Sequence, residues 1–115
     1  MTSLRNRVQL IGKLGIDPDV KEVNKSKKAR FSLATNEVYH QDGNRKEETQ
    51  WHNVIAWGKT AELAEKYLRK GKEVAVDGKL TSRSYNDKDG NRKYITEIVA
   101  NELVLLGSKV GNGQE

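Results

Sequence analysis

The sequence predicts an all-β fold with one helix, closed into a small antiparallel barrel of five strands with extended hairpin arms. Three observations predict it. Short runs of alternating apolar and polar residues recur along the chain. Only residues 60–68 carry apolar residues at helical spacing. Ten glycines and a single proline, spread out, punctuate these runs as turns do. At 115 residues the chain suits one domain and can bury one modest core.

The first strand is expected over residues 7–15, with Val8 and Leu10 on one face and glycines that permit bending. Asp17-Pro18 marks a turn. Residues 20–23 read as a short strand, and residues 24–28 as a basic turn. Residues 29–35 alternate, which puts Phe31 and Leu33 inward. The polar run over residues 40–48 reads as a loop around Asp42-Gly43, and a strand carrying both tryptophans follows. In the helix, Ala61, Leu63, Ala64, Tyr67 and Leu68 share a side, Thr60 is the candidate cap at its start and Gly71 at its end. Arg69, Lys70 and Lys72 suit the negative end of its dipole. A long strand over residues 73–85 has Val74, Val76 and Leu80 on one face. Asp89-Gly90 signals a hairpin, and a last strand covers residues 94–106. The order is β-β-β-α-β-β, with the helix between the third and fourth long strands. That is the expected layout of a five-stranded OB barrel. Residues 1–107 form this domain, and residues 108–115 read as a short flexible tail.

Charge is unevenly placed. The net charge is +5, from 21 basic and 16 acidic residues. Residues 1–30 hold eight Lys and Arg against three acids, while the rest of the chain balances. A basic region of this kind fits a polyanion, although a solvated face gives the same count. No cysteine is present, which excludes disulfides and thiolate metal sites. No apolar stretch is long enough for a signal segment or a membrane span, so a soluble intracellular protein is expected. No Gly-rich phosphate loop with Lys-Ser/Thr and no His-Glu-x-x-His occurs. His40 and His52 lack metal-ligand spacing. The pairs Asp17/Asp19 and Asp87/Asp89 lie in turns, where Asp serves local hydrogen bonds. Neither enzyme chemistry nor a cofactor or metal is expected.

The tryptophan strand carries the candidate site. Trp51, Asn53, Ile55 and Trp57 share one face, while His52, Val54 and Ala56 take the other. Val54 and Ala56 suit a barrel interior. Two flat aromatics on the opposite face of a basic protein suit stacking of nucleic-acid bases. The competing reading makes them core or subunit contact. The pentapeptide Asp-Gly-Asn-Arg-Lys occurs at 42–46 and again at 89–93. It reads as two Asp-Gly turns, or as two basic hairpin tips able to close around a strand. Phe31, Tyr67 and Tyr94 read as core.

The chain resembles bacterial single-stranded DNA-binding protein (SSB). The resemblance rests on Asn6-Arg7-Val8, Leu10-Ile11-Gly12-Lys13-Leu14-Gly15, Asp17-Pro18, Leu33-Ala34-Thr35-Asn36-Glu37, Trp51-His52-Asn53-Val54 and Trp57-Gly58-Lys59. It continues through Glu65-Lys66-Tyr67-Leu68-Arg69-Lys70-Gly71 and Val76-Asp77-Gly78-Lys79-Leu80. It runs from about Leu4 to Leu106 and implies a homotetramer of OB barrels that wraps single-stranded DNA in replication, recombination and repair. It implies a bacterial cytoplasmic, nucleoid-associated location and no membrane. Matched residue by residue, base stacking falls on Tyr39, Trp51, Trp57 and Tyr85. Phosphate contacts fall on Arg7, Lys21, Lys59, Lys70 and Arg83, and the subunit interface on His52. Asn53 stands where arginine is common, so that contact is not carried over. The chain ends Gly111, Asn112, Gly113, Gln114, Glu115. It lacks the acidic, apolar-ended tip by which the family recruits replication and repair enzymes, so recruitment is not implied. Two rivals remain: a dimeric primosome-type or RNA-binding OB protein, and an OB adaptor whose tryptophans bind protein.

Overall fold

A computed structural model describes residues 4–106. After a 3-10 turn (Leu4–Asn6) come β1 (Val8–Leu14), β2 (Asp19–Val23), β3 (Ser26–Gln41), β4 (Asn44–Trp57), α1 (Gly58–Tyr67), β5 (Glu73–Asn86) and β6 (Arg92–Leu105). The strands are ordered β1-β5-β6-β4-β3-β2, and β3 also pairs back onto β1. That last pairing, Lys13 with Ala34 and Leu14 with Leu33, closes a ring of five strands. β2 hangs outside the ring as a hairpin partner of β3. The expected barrel is therefore present, with one difference. It is not wholly antiparallel, because β4 and β6 run parallel at Val54–Ile98 and Ile55–Val99. The connection through α1 and β5 brings β6 back beside β4 in the same direction.

Alternation sorts the core. Ala29, Phe31 and Leu33 of β3, Val54 and Ala56 of β4, Val74 and Val76 of β5, and Ile98 and Ala100 of β6 all point inward and are buried. Helix α1 packs against β3, β4 and β6 and contributes Ala61 and Ala64, with Leu68 just beyond its end. Small residues on the helix let it sit close to the barrel. Truncating Phe31, one of the largest fully buried side chains, would cost about 3–5 kcal/mol. Asn6 ties the chain start to β5: its amide donates to the Leu80 carbonyl and its oxygen accepts from the Leu80 amide, at 3.1 and 3.0 Å.

Four local expectations differ from the structure. Residues 40–48 are not a loop. β3 runs to Gln41 and β4 starts at Asn44, so Asp42 and Gly43 alone make the turn, both at positive φ. A two-residue turn of this kind matches the twist of a hairpin, and polar residues on both faces had hidden the strand periodicity. The basic turn shrinks likewise to Asn24 and Lys25, both at positive φ. The helix starts at Gly58 rather than Thr60. Trp57 is its N-cap without a side-chain hydrogen bond, and Gly58, at φ 59°, turns the chain directly from strand into helix. Finally, Tyr67, Tyr94 and Leu80 are exposed. Leu80 and Tyr94 keep inward parity, but both lie past the rim where the core has ended. Tyr67 lies on the flank of α1, beside the stripe of Ala61, Ala64 and Leu68. The expected tail, residues 108–115, lies outside the described residues.

Beyond the barrel rim, β3–β4 and β5–β6 continue as two long hairpins. The repeated pentapeptide makes two different tips. At 42–46 it forms the two-residue turn. At 89–93 the tip is a wider loop, where the Asp87 carboxylate accepts from the amides of Asp89 (2.9 Å) and Asn91 (2.8 Å). That carboxylate offers the backbone an alternative set of acceptors.

Candidate nucleic-acid interface

The outward face of β3, β4 and β6 carries the candidate site. β3 presents Lys28, Arg30 and Ser32, and β4 presents Trp57, Ile55, Asn53 and Trp51 directly beside them. On β6, Val99 lies beside Ile55, and Glu97 shares its parity. Thr81, Arg83 and Tyr85 of β5 continue that face along the arm. Trp51 is 62% exposed and Trp57 42% exposed, while Val54 and Ala56 between them are fully buried. Neither tryptophan is core.

Each ring is held by a different device. Trp51 lies over Gly15. A Cβ at that glycine would fall 2.5 Å from Trp51 Cζ3 and 2.9 Å from Ser32 Oγ. The Gly15 amide donates to the Ser32 carbonyl at 3.1 Å, which fixes the bare backbone beneath the ring. Trp57 instead has the Lys28 ammonium 5.4 Å from its ring centroid. Such a contact is worth about 0.5–1 kcal/mol at an exposed site.

Glu97 is the one buried charged residue among those described, at 3% exposure. Its carboxylate accepts from Arg83 Nε at 3.1 Å and Nη2 at 3.3 Å, and Arg30 Nη2 approaches at 3.5 Å. The hydrogen bond to Glu97, then its charge, raises the Arg83 pKa above the ordinary arginine value. Glu97 thus holds the charged form of Arg83, and both guanidiniums are positioned on the outward face. A long-range ladder contact creates this triad, so no local spacing signals it. Lys28 and Arg30 were visible only as members of the basic N-terminal region.

The remaining expected residues are dispersed. Tyr85 shares the outward parity of Trp51 and Trp57. Tyr39 has the inward parity of Phe31 and Leu33, so alternation puts it on the other face of the β3–β4 hairpin. Both are exposed. Lys59 follows Trp57 in the first turn of α1. Lys21 lies opposite Lys28 on β2, with Asp19 3.9 Å away. Lys70 is exposed after the helix, where its backbone amide donates to Asp17 Oδ1 at 2.7 Å. Arg7 stands elsewhere: its guanidinium donates to both oxygens of Asp77, at 3.2 and 3.0 Å, and lines a groove with Gln9, Ile11 and Val104. His52 is half-buried, with Nε2 2.9 Å from Thr35 Oγ1. Among the described residues no group of carboxylates and histidines could hold a metal ion, and no helix is long and apolar enough to cross a membrane.

A closed five-stranded barrel, capped by one helix and carrying exposed aromatics and cations on one sheet face, defines an oligonucleotide-binding type of barrel domain. The particular lineage follows from comparison: the single-strand binding protein family model matches residues 5–106, and the chain belongs to that family. The single-stranded DNA-binding protein 1 of Chlorobaculum tepidum is 43% identical over 111 residues, covering 94% of this chain and 68% of that protein. The protein of the same name from Xylella fastidiosa is 41% identical over 117 residues, covering 99% and 85%. Among solved structures, a Plasmodium falciparum SSB complex with ssDNA superposes with a TM-score of 0.84 at 37% identity, covering 93% of this chain and 98% of that one.

Proposed function

We propose that this protein binds single-stranded DNA without regard to sequence and protects exposed strands during replication, recombination and repair. The carrying observation is the pair of exposed tryptophans six residues apart on the outward face of β4, Trp51 packed over Gly15 and Trp57 beside the Lys28 ammonium. Base faces and phosphates are what every nucleotide offers, so stacking and charge suffice and base-edge contacts are not needed. Stacking contributes roughly 1–3 kcal/mol per base. Trp51 and Trp57 are the primary platforms, and Tyr85 extends them along the arm. Tyr39 serves a strand that passes to the other face of its hairpin. Lys21, Lys59, Lys70 and Arg83 meet phosphates. Arg7, set in the groove of β1, β5 and β6 away from the tryptophan face, contributes least. The role is binding rather than catalysis, in the bacterial cytoplasm with the nucleoid.

Self-assembly into a homotetramer belongs to the same reading. It is supported by the outward face of β1, β5 and β6, where Ile11 is 61% exposed and Val104 is also exposed beside a groove of about 580 Å³. Residues 8–12 of β1 pair with β5 alone, which leaves one backbone edge for another copy. His52 is assigned to subunit contact by family likeness. The test of DNA binding is a titration of intrinsic tryptophan fluorescence with long oligo-dT, against matched duplex, at low and high salt. Strong quenching by oligo-dT, weak quenching by duplex and loosening by salt are expected. Absence of quenching at low salt would transfer the tryptophans to a protein interface.

A further inference from the structure

We propose that Lys21, Lys28 and Arg30 form a phosphate-oxygen subsite beside Trp57, in which the buried carboxylate of Glu97 positions Arg30. The proposal rests on the DNA-binding reading and adds Lys28 and Arg30 to it as residues that grip the backbone of the nucleotide stacked at Trp57.

Four observations carry it. First, Lys21 and Lys28 are directly opposed across the β2–β3 pair. Like charges in that relation destabilise a sheet unless an anion lies between or above them. Asp19, 3.9 Å from Lys21, is too distant for a hydrogen bond, and Lys28 leans on a ring rather than a carboxylate. Second, Asp19, Lys21, Lys28 and Arg30 line a recess of about 110 Å³. A water occupies about 30 Å³ of liquid, so a tetrahedral oxyanion fits. Third, the Arg30 guanidinium has unused donors. Among the described residues its buried Nε has no partner, and its one ion pair is the 3.5 Å contact of Nη2 with Glu97. The side chain as a whole is part exposed, and a charge-assisted bond from its remaining Nη donors to an anionic oxygen is among the strong ones. Fourth, charge is left over. In the lining of the recess Lys21, Lys28 and Arg30 stand against the single carboxylate of Asp19, a surplus of two positive charges.

Glu97 is a positioning residue here. Buried on the outward face between β5 and β3, it binds two guanidiniums and satisfies neither completely, so both keep donors for a ligand. Lys28 links charge to stacking. Its ammonium already lies 5.4 Å from the Trp57 centroid, so a base on that ring brings its own phosphodiester within reach. A free phosphate or pyrophosphate offers the same oxygens, and the experiment separates the two sources.

The test compares the full chain with Lys28→Gln/Arg30→Gln, with Lys28→Gln alone if the double variant fails to fold. Binding of labelled oligo-dT is followed by anisotropy over a range of salt, with thermal unfolding as the folding control. Each single-strand phosphate contact contributes about 0.7 to the slope of log affinity against log salt. The double variant is expected to have a slope shallower by about 1.4, a loss of affinity above fivefold at low salt, and unchanged tryptophan quenching at saturation. An unchanged slope in a folded variant overturns the subsite. If the unaltered protein fails to bind oligo-dT, the DNA reading falls, and pyrophosphate decides the rest. A change in tryptophan emission seen in the unaltered protein but not in the variant keeps an anion site for free phosphates. No change in either overturns it.

Discussion

The barrel has two outward sheet faces that meet water, and they are built from different chemistry. The face of β3, β4 and β6 presents indole rings with ammonium and guanidinium groups left partly unsatisfied. The face of β1, β5 and β6 presents Ile11, Ala75 and Val104, with Arg7 at its edge held by both oxygens of Asp77. Flat π surfaces and spare cations suit a flexible polyanion. Exposed aliphatic surface beside a paired arginine and aspartate suits another protein surface, including a second copy of this chain. The comparison teaches that exposure alone does not assign a partner. The state of the neighbouring charges does.

The sharpest way to break the comparison is to remove both rings. Trp51→Ala/Trp57→Ala should weaken oligo-dT binding more than tenfold by anisotropy, while thermal unfolding and the mass in solution stay as they are. Unchanged affinity in the folded double variant would remove stacking from the first face. The converse change, Ile11→Lys, should act on the second face. Light scattering should show smaller species at micromolar protein, and each subunit should keep its quenching by short oligo-dT. A mass unaffected by that charge would take self-assembly away from the aliphatic face.

A smaller effect tests the support beneath the first face. Glu97→Gln leaves Arg83 with weaker hydrogen bonds and Arg30 without its ion pair, and stability should fall by about 1–2 kcal/mol, discounted because both arginines are half-exposed. Oligo-dT affinity should drop a few-fold with quenching intact. Equal stability would make Glu97 a bystander. The smallest effect lies on neither face. Lys27 donates to Glu65 of α1 at 2.6 Å, and this hydrogen bond, then the Glu65 charge, raises its pKa above 10.5. A raised lysine pKa adds stability that is present below the unfolded value and is lost as pH rises through the folded one. Unfolding followed from pH 9 to 11.5 should therefore lose stability above pH 10.5 more steeply than in Lys27→Met. Parallel profiles would deny the pair any role.

Much of the fold and part of the site are legible in the sequence, and the gaps share a cause. Alternation placed Phe31, Leu33, Val54 and Ala56 inside and the tryptophans outside, because in those segments one face is buried and the other is not. The signal failed over residues 40–48, where both faces of a hairpin arm are wet. It misled at Tyr94 and Leu80, where parity persists after the core has ended. The arginine–glutamate triad was invisible for another reason. Arg30, Arg83 and Glu97 belong to three strands; the β5–β6 hairpin joins Arg83 to Glu97, and the parallel β4–β6 pairing brings Arg30 of the neighbouring β3 beside them. Family likeness supplied Tyr39 and Arg7 as site residues, yet the structure sets them on other faces than Trp51. Their part in binding depends on the path the strand takes.

The placement of Trp51 and Trp57 also sets a length scale. Six residues of extended chain separate them, roughly 20 Å at the usual strand rise. Stacked nucleotides advance about 3.4 Å each along one strand. A ligand that engages both rings must span that gap, so very short oligomers can use one ring only. Plotted against oligomer length, affinity should rise in a step at the length that first bridges both rings. The strand thereby acts as a ruler for how much single-stranded DNA one copy of the chain can grip.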